Sequence, residues 1–316
     1  MIPWGMRKLA VIHHHFKDYV PALREAEPRL EVRGWHPQDV PEDPWIAEAE
    51  GLFVWRIPAG LVQRMPRLAW IQNSGAGMDH LVREDIPPGI PITRCDGQFG
   101  FWMARYAAGH LLFEAQRIAE SAAAQGGRQW ADRMVPEDLT GRLALVHGFG
   151  RIGRQIGRAL RELGMEVHGF VRTARADAEF PVHAGQDLGR WMGAARVLVL
   201  CAPLTGETRG LVNAALLAQG NAALTLVNVG RGELVVEADL LAALDGGRLG
   251  RAVLDVFAQE PLDPGSPLWS HPRVVVTPHH SGPSTPRQII PDIRENLRRF
   301  AEGLPILDAV DRARGY

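Results

Sequence analysis

The chain has 316 residues, a formal net charge of −1 and 46% hydrophobic residues, enough for two domains of ordinary size, each with its own core. A balance so close to neutral argues against partners such as nucleic acid or an anionic membrane surface, and no apolar run is long enough to span a bilayer. The amino terminus lacks the apolar core and cleavage site of a signal peptide, and the only cysteines, Cys95 and Cys201, lie far apart without metal-like spacing, so reduced thiols in a cytoplasmic protein are expected.

Along the first hundred or so residues, short apolar runs at 9–13, 52–55 and 68–71 read as strands and 19–26 reads as a helix, an α/β unit. His13, His14 and His15 end the first strand with no further ligand in register, so no metal site is expected. An Ala- and Leu-rich helical pattern follows at 103–124, predicted as one long connecting helix, and then a polar stretch at 125–142 that carries Trp130 and Pro136. Residues 143–146 read as a buried parallel strand, 152–163 as a helix stopped by Gly164, and 166–171 as a second strand. Further strands are predicted at 197–201, 224–228, 250–256 and 274–277, with helical patterns such as 237–244 between them. That rhythm implies a doubly wound sheet. A last helix at 287–302 is expected to return to the first domain.

Between the strand at 143–146 and the helix after it stands GFGRIG, Gly148 to Gly153. In a βαβ setting Gly148 permits the tight turn, Gly150 lets backbone approach a pyrophosphate and Gly153 lets helix pack on strand. The helix start at Arg151 and Ile152 offers N–H groups and positive dipole to phosphate. The end of the second strand selects among dinucleotides. An acid there would bond the ribose hydroxyls of NAD, but Val171 stands near that position and Arg172, Thr173 and Arg175 follow. Guanidinium groups pair with phosphate, so NADPH is favoured, NADH stays open, and the competing reading is a merely solvated arginine face.

Ligands of such sheets bind beyond the carboxyl ends of the strands. Three side chains stand just there: Arg231 in NVGRGELV, Glu260 in LDVFAQEPL and His279 in TPHHSG. A guanidinium clamps a carboxylate and polarises a carbonyl. An imidazole transfers the proton that accompanies hydride, and a carboxylate on its other nitrogen fixes the tautomer.

With NSGAGMDH at 73–80, GFGRIG, CAPLTGETRGLVN at 201–213, NVGRGELV, LDVFAQEPL and TPHHSG in order, the chain resembles the D-2-hydroxyacid dehydrogenase family from end to end. The FVWRIP segment, SPLWSHPRV and VDRARGY at 310–316 make it most similar to that family's bacterial glyoxylate/hydroxypyruvate reductase A branch. The resemblance implies two Rossmann-like doubly wound domains with a cleft between them. The nucleotide-binding domain, 103–284, would be inserted into a flavodoxin-like substrate-binding domain, 1–102 with 285–316. Arg231, Glu260 and His279 would be catalytic, and the backbone around Gly75, Ala76 and Gly77 would receive the substrate carboxylate. Asp255 would face the nicotinamide amide, while Pro203, Thr208 and Val229 would line the cofactor. Trp55 is either a wall of the substrate pocket or core. Trp130 either reaches into a partner of the family's homodimer or is a surface residue. Arg105, where many members carry Glu, is an added anion contact or a changed surface position. His280 is a neighbour of the site or cofactor-side.

The implied reaction is NADPH-dependent reduction of glyoxylate and hydroxypyruvate to glycolate and D-glycerate. The competing readings are a dehydrogenase for another 2-oxo acid such as phenylpyruvate and, in a different class, a nicotinamide-sensing binding module. The three retained catalytic types and the absence of a partner-binding extension argue against the module. Glu260 argues against a formate dehydrogenase, which does not use the acid/base pair.

Overall fold

The computed structural model describes residues 7–78, 80, 81, 85–95 and 99–312, so Asp79 of NSGAGMDH and residues 313–316 of VDRARGY lie outside the described residues. The chain divides into two compact units, with Phe99–Pro283 inserted in sequence between the segments that form the other.

In the first unit, β1 (Lys8–Ile12), β2 (Glu31–Trp35), β3 (Gly51–Val54), β4 (Trp70–Asn73) and β5 (Ile92–Thr93) pair in parallel in the order β2-β1-β3-β4-β5. This is the flavodoxin-like order. Every residue of β3 and β4 is buried, as a parallel sheet covered on both faces requires. The helix Phe16–Ala26 and the last helix, Pro286–Ala301, pack in this unit, where the Tyr19 hydroxyl donates to the Ser284 carbonyl.

In the second unit, β6 (Leu143–His147), β7 (Glu166–Val171), β8 (Val182–Ala184), β9 (Ala195–Leu200), β10 (Thr225–Asn228), β11 (Arg251–Leu254) and β12 (Val274–Val276) are also parallel, in the order β12-β11-β10-β9-β6-β7-β8. The order reverses beside β6, the Rossmann switch point. Side chains alternate between the two faces: Leu145, Leu198 and Leu226 join one apolar layer, while Val146, Val199 and Val227 join the other. The helix Arg151–Glu162 buries Gly153, Ile156, Gly157 and Leu160, one stripe at helical spacing.

The long helix expected at 103–124 is two helices, Phe99–Ala115 and Ile118–Gly126. Arg117 turns the chain between them in the left-handed region, at φ 54°. The first buries Ala104, Ala107, Leu111 and Ala115, whereas the second buries none of its residues, so the packing that holds the first in line ends where it ends. Among the described residues no group of His, Cys, Asp and Glu is arranged to hold a metal ion, and no helix is long and apolar enough to cross a membrane.

Candidate active site

The loop from β6 into its helix is shaped by contacts a side chain would destroy. Gly148 has φ +96°, and a Cβ there would lie 2.4 Å from the Ala202 nitrogen. One at Gly153 would lie 2.4 Å from the Gly148 carbonyl oxygen. Gly150 differs: its φ is an ordinary −87° and a Cβ would meet nothing within 4 Å. Protein packing therefore does not demand glycine at 150, and Gly150 is the residue that caps the amino terminus of the helix Arg151–Glu162. A phosphate group fits that combination. Cys201 caps the loop's floor, its thiol donating to the Gly148 carbonyl at 3.2 Å, and burial pushes that thiol up to about 12.

Arg172, Thr173 and Arg175 are exposed after β7. Arg172 pairs with Glu207 at 2.8 Å, and Arg175 donates to the Phe149 carbonyl at 3.1 Å. The Arg172 pair is solvent-exposed and so weak. The segment is anchored from behind: Arg154 binds both carboxylate oxygens of Asp177, while Arg158 and Arg161 bind Glu179. Neither Glu207 nor this arginine cluster was singled out from sequence. Thr208 is a hub of its own loop, donating to the Pro203 carbonyl at 2.7 Å and accepting from the Thr205 N–H at 2.8 Å. Val229 is buried and donates its N–H to Leu200 at 3.0 Å.

Arg231, Glu260 and His279 follow β10, β11 and β12, three adjacent strands. His279 Nδ1 and Glu260 Oε2 are 2.8 Å apart, and the Phe257 N–H donates to Glu260 Oε1 at 3.1 Å. Burial raises the Glu260 pKa, yet the His279 bond and charge, the Phe257 N–H and the Arg231 charge together hold it below its ordinary value. The Arg231 loop is fixed by Asn228 at the end of β10, which is fully buried. Its amide donates to the Arg231 carbonyl at 2.8 Å and accepts from the Gly230 N–H at 3.1 Å.

His279 is held left-handed, at φ 51°, its N–H on the Asp255 carbonyl at 2.9 Å. The fully buried Asp255 carboxylate accepts from Thr277 Oγ1 at 2.6 Å, His280 N–H at 3.0 Å and Ser281 N–H at 2.9 Å. Its structural work is to tie down the His279 loop. His280 lies against Tyr106, ring centroids 5.9 Å apart, and Arg105 stacks its guanidinium 3.6 Å over Phe101.

In the first unit, Asn73 at the end of β4 repeats the device of Asn228. Its buried amide donates to the Gly75 carbonyl at 3.1 Å and the Gly77 carbonyl at 2.8 Å, drawing the carbonyls of the Gly75-Ala76-Gly77 turn inward. Trp55 is half-buried and lies on this turn, since a Cβ on Gly75 would stand 2.3 Å from its ring.

A family model for the NAD-binding domain of D-isomer-specific 2-hydroxyacid dehydrogenases matches residues 108–281. The chain belongs to that family. Curated relatives named glyoxylate/hydroxypyruvate reductase A are similar over almost all of it. The one from Photorhabdus laumondii is 31% identical, covering 97% of this chain and 99% of its own, and one from Klebsiella pneumoniae is 33% identical with the same coverage. Among solved structures, a D-isomer-specific 2-hydroxyacid dehydrogenase from Xanthobacter autotrophicus in complex with NADPH and MES superposes with TM-score 0.89 at 36% identity, over 99% of this chain and 100% of its own. An NADPH-dependent glyoxylate/hydroxypyruvate reductase from Sinorhizobium meliloti, in complex with NADP and sulfate, gives TM-score 0.89 at 30% identity, over 98% and 100%. This D-2-hydroxyacid dehydrogenase is thus an oxidoreductase whose fold and family agree with its sequence motifs.

Proposed function

We propose that the protein reduces small 2-oxo acids, glyoxylate and hydroxypyruvate, to glycolate and D-glycerate with NADPH, NADH being the weaker cofactor. The observation that carries the reading is the His279–Glu260 pair at 2.8 Å beside Arg231, at the carboxyl ends of neighbouring strands. The open face at Gly150 and the helix start at Arg151, Ile152 and Gly153 would hold the pyrophosphate, with Arg172, Thr173 and Arg175 at the adenosine phosphate. Pro203, Thr208, Val229 and Asp255 would line the rest. NADPH, when bound, supplies the hydride. Arg231 clamps the substrate carboxylate and polarises the carbonyl. With Nδ1 on Glu260, His279 delivers its proton from Nε2 to the carbonyl oxygen, and Glu260 stabilises the imidazolium that precedes transfer. By family resemblance the N–H groups of Gly75, Ala76 and Gly77 would receive the acid's carboxylate and Trp55 would contact substrate, the substrate-binding role proposed for the first unit.

A cytoplasmic homodimer completes the proposal. Trp130, 93% exposed, and Val135, 73% exposed, are the kind of apolar surface a second copy covers. The test is cofactor oxidation with glyoxylate, hydroxypyruvate, pyruvate and phenylpyruvate, each with NADPH and NADH, in the parent and Arg172→Asp. Fast NADPH oxidation with the two small acids, lost selectively for NADPH in the variant, is expected. Equal use of both cofactors by the parent would remove Arg172 from phosphate recognition.

A further inference from the structure

Behind His279 runs a chain of hydroxyls with one sense. Thr277 Oγ1 donates a hydrogen bond to Asp255 Oδ1 at 2.6 Å, and a hydroxyl has only one proton to donate. Thr277 then accepts from the Tyr106 hydroxyl, 2.7 Å away, and Tyr106 is fixed as the donor. Burial, outweighing the Thr277 bond, pushes the Tyr106 hydroxyl well above its ordinary pKa, so the donor keeps its proton across the working range. The chain ends on the carboxylate that also takes the N–H groups of His280 and Ser281, while the same residue's carbonyl takes the N–H of His279. The residue so held is itself left-handed, at φ 51°, a conformation that persists only when its surroundings over-determine it.

We propose that Tyr106 and Thr277 are positioning residues for His279, holding through Asp255 the backbone geometry that keeps its imidazole on Glu260. The proposal rests on the reading of His279 as the proton donor. Neither residue touches the reacting atoms. Tyr106 sits on the helix Phe99–Ala115 and Thr277 directly follows β12, so a helix and a strand end are coupled to one loop. The titratable and charged groups facing this chain are His110, its ring centroid 4.5 Å from Tyr106, His280 at 5.9 Å, Asp255 itself, and Arg251, whose charge reaches His110. At the far end stand Glu260 and Arg231.

The experiment compares the parent with Thr277→Val, which keeps shape and loses the hydroxyl, Thr277→Ser, which keeps the hydroxyl, Tyr106→Phe, and the Tyr106→Phe/Thr277→Val double variant. Two readouts run in parallel. One is kcat and KM with glyoxylate and NADPH across the pH range in which imidazole titrates. The other is the NMR titration of the His279 ring, assigned by its absence in His279→Gln. Thr277→Val is expected to lower kcat about tenfold, the size of one charge-assisted hydrogen bond, with the KM for NADPH unchanged. The pH profile and the His279 titration should move together, and Thr277→Ser should return both to within about twofold of the parent. Adding Tyr106→Phe to Thr277→Val should cost nothing more, because the phenol has already lost its acceptor. Should Thr277→Val fail to fold, Tyr106→Phe carries the same expectation in the same direction. A folded Thr277→Val with parental kcat and an unmoved His279 titration overturns the proposal, as does a Thr277→Ser that rescues neither. If the parent reduces no 2-oxo acid while the His279 titration still moves in Thr277→Val, the functional reading falls and the positioning role stands.

Discussion

Gly232 stands between the residue proposed to clamp substrate and the loop proposed to hold the proton donor, and a single methyl group there tests both. A Cβ at 232 would lie 1.8 Å from the Phe257 carbonyl carbon and 2.2 Å from the Ala258 nitrogen. Both are backbone atoms, so no rotamer change clears them. Restoring ordinary contact needs the two segments to part by on the order of 1.5 Å in a close-packed interior. Asn228 grips the Arg231 carbonyl on one side and the Phe257 N–H grips Glu260 on the other, so the displacement lands on Arg231, Glu260 or both. Misplacing a catalytic group by about 1 Å costs roughly a hundredfold in rate, or ~2.7 kcal/mol of barrier. Gly232→Ala should therefore lower kcat/KM for glyoxylate about a hundredfold. Cofactor affinity, proposed to come chiefly from the glycine loop after β6, two strands from β10, should fall much less than kcat/KM, by under about tenfold even if Val229 and Asp255 shift slightly. Steady-state NADPH oxidation and a direct binding titration separate the two effects, with a melting curve to show the variant is folded. A folded Gly232→Ala with kcat/KM within about threefold of the parent would refute the claim that this contact sets the geometry.

His279→Ala should lower kcat by about 10²- to 10⁴-fold while NADPH binding persists; a variant that still turns over glyoxylate at the parental rate would end the assignment of His279 as proton donor. Gly150→Ala should melt like the parent, because its Cβ meets no protein atom within 4 Å, yet bind NADPH at least about tenfold more weakly; unchanged affinity would show that the open side is not where phosphate sits. His147 is buried, and burial lowers its pKa from 6.5 to about 4. The unfolded chain takes up its proton first as pH falls, so the folded state is fully favoured above 6.5 and loses ~3 kcal/mol between there and 4. In His147→Leu the pH dependence of denaturant midpoints across that window should flatten by that amount; an unaltered slope would mean that His147 takes up its proton as readily folded as unfolded.

The pattern of apolar runs carried most of the topology, because a buried parallel strand has to be apolar on both faces. The β7 bounds, Glu166–Val171, agree between pattern and structure. The strands not anticipated are β2, β5 and β8. Of these, β2 buries only Val32 and carries Gly34, β5 has two residues, and none of the three in β8 is fully buried. Such strands are specified by the backbone of a neighbour and not by their own side chains. The break at Arg117 was equally silent, since neither Gly nor Pro marks it. For the site, Arg231, Glu260 and His279 were legible because each stands a few residues past a strand end. What held them was not. Asn73 and Asn228 look in sequence like the last polar residues of their strands, and only the folded loops show their amides binding the turns that follow. Thr277 and Tyr106 are 171 positions apart, a pairing that no local window contains.

The left-handed backbone of His279 also bears on how this enzyme can be improved. Histidine tolerates that region better than most side chains, but a non-glycine residue there still sacrifices roughly 1–2 kcal/mol relative to an unstrained position. A library selected for heat resistance alone would drift toward Gly or Asn at 279, each gaining stability and each discarding the imidazole. Stability and turnover therefore pull in opposite directions at this one position, and selection schemes for hardier variants need an activity screen in every round.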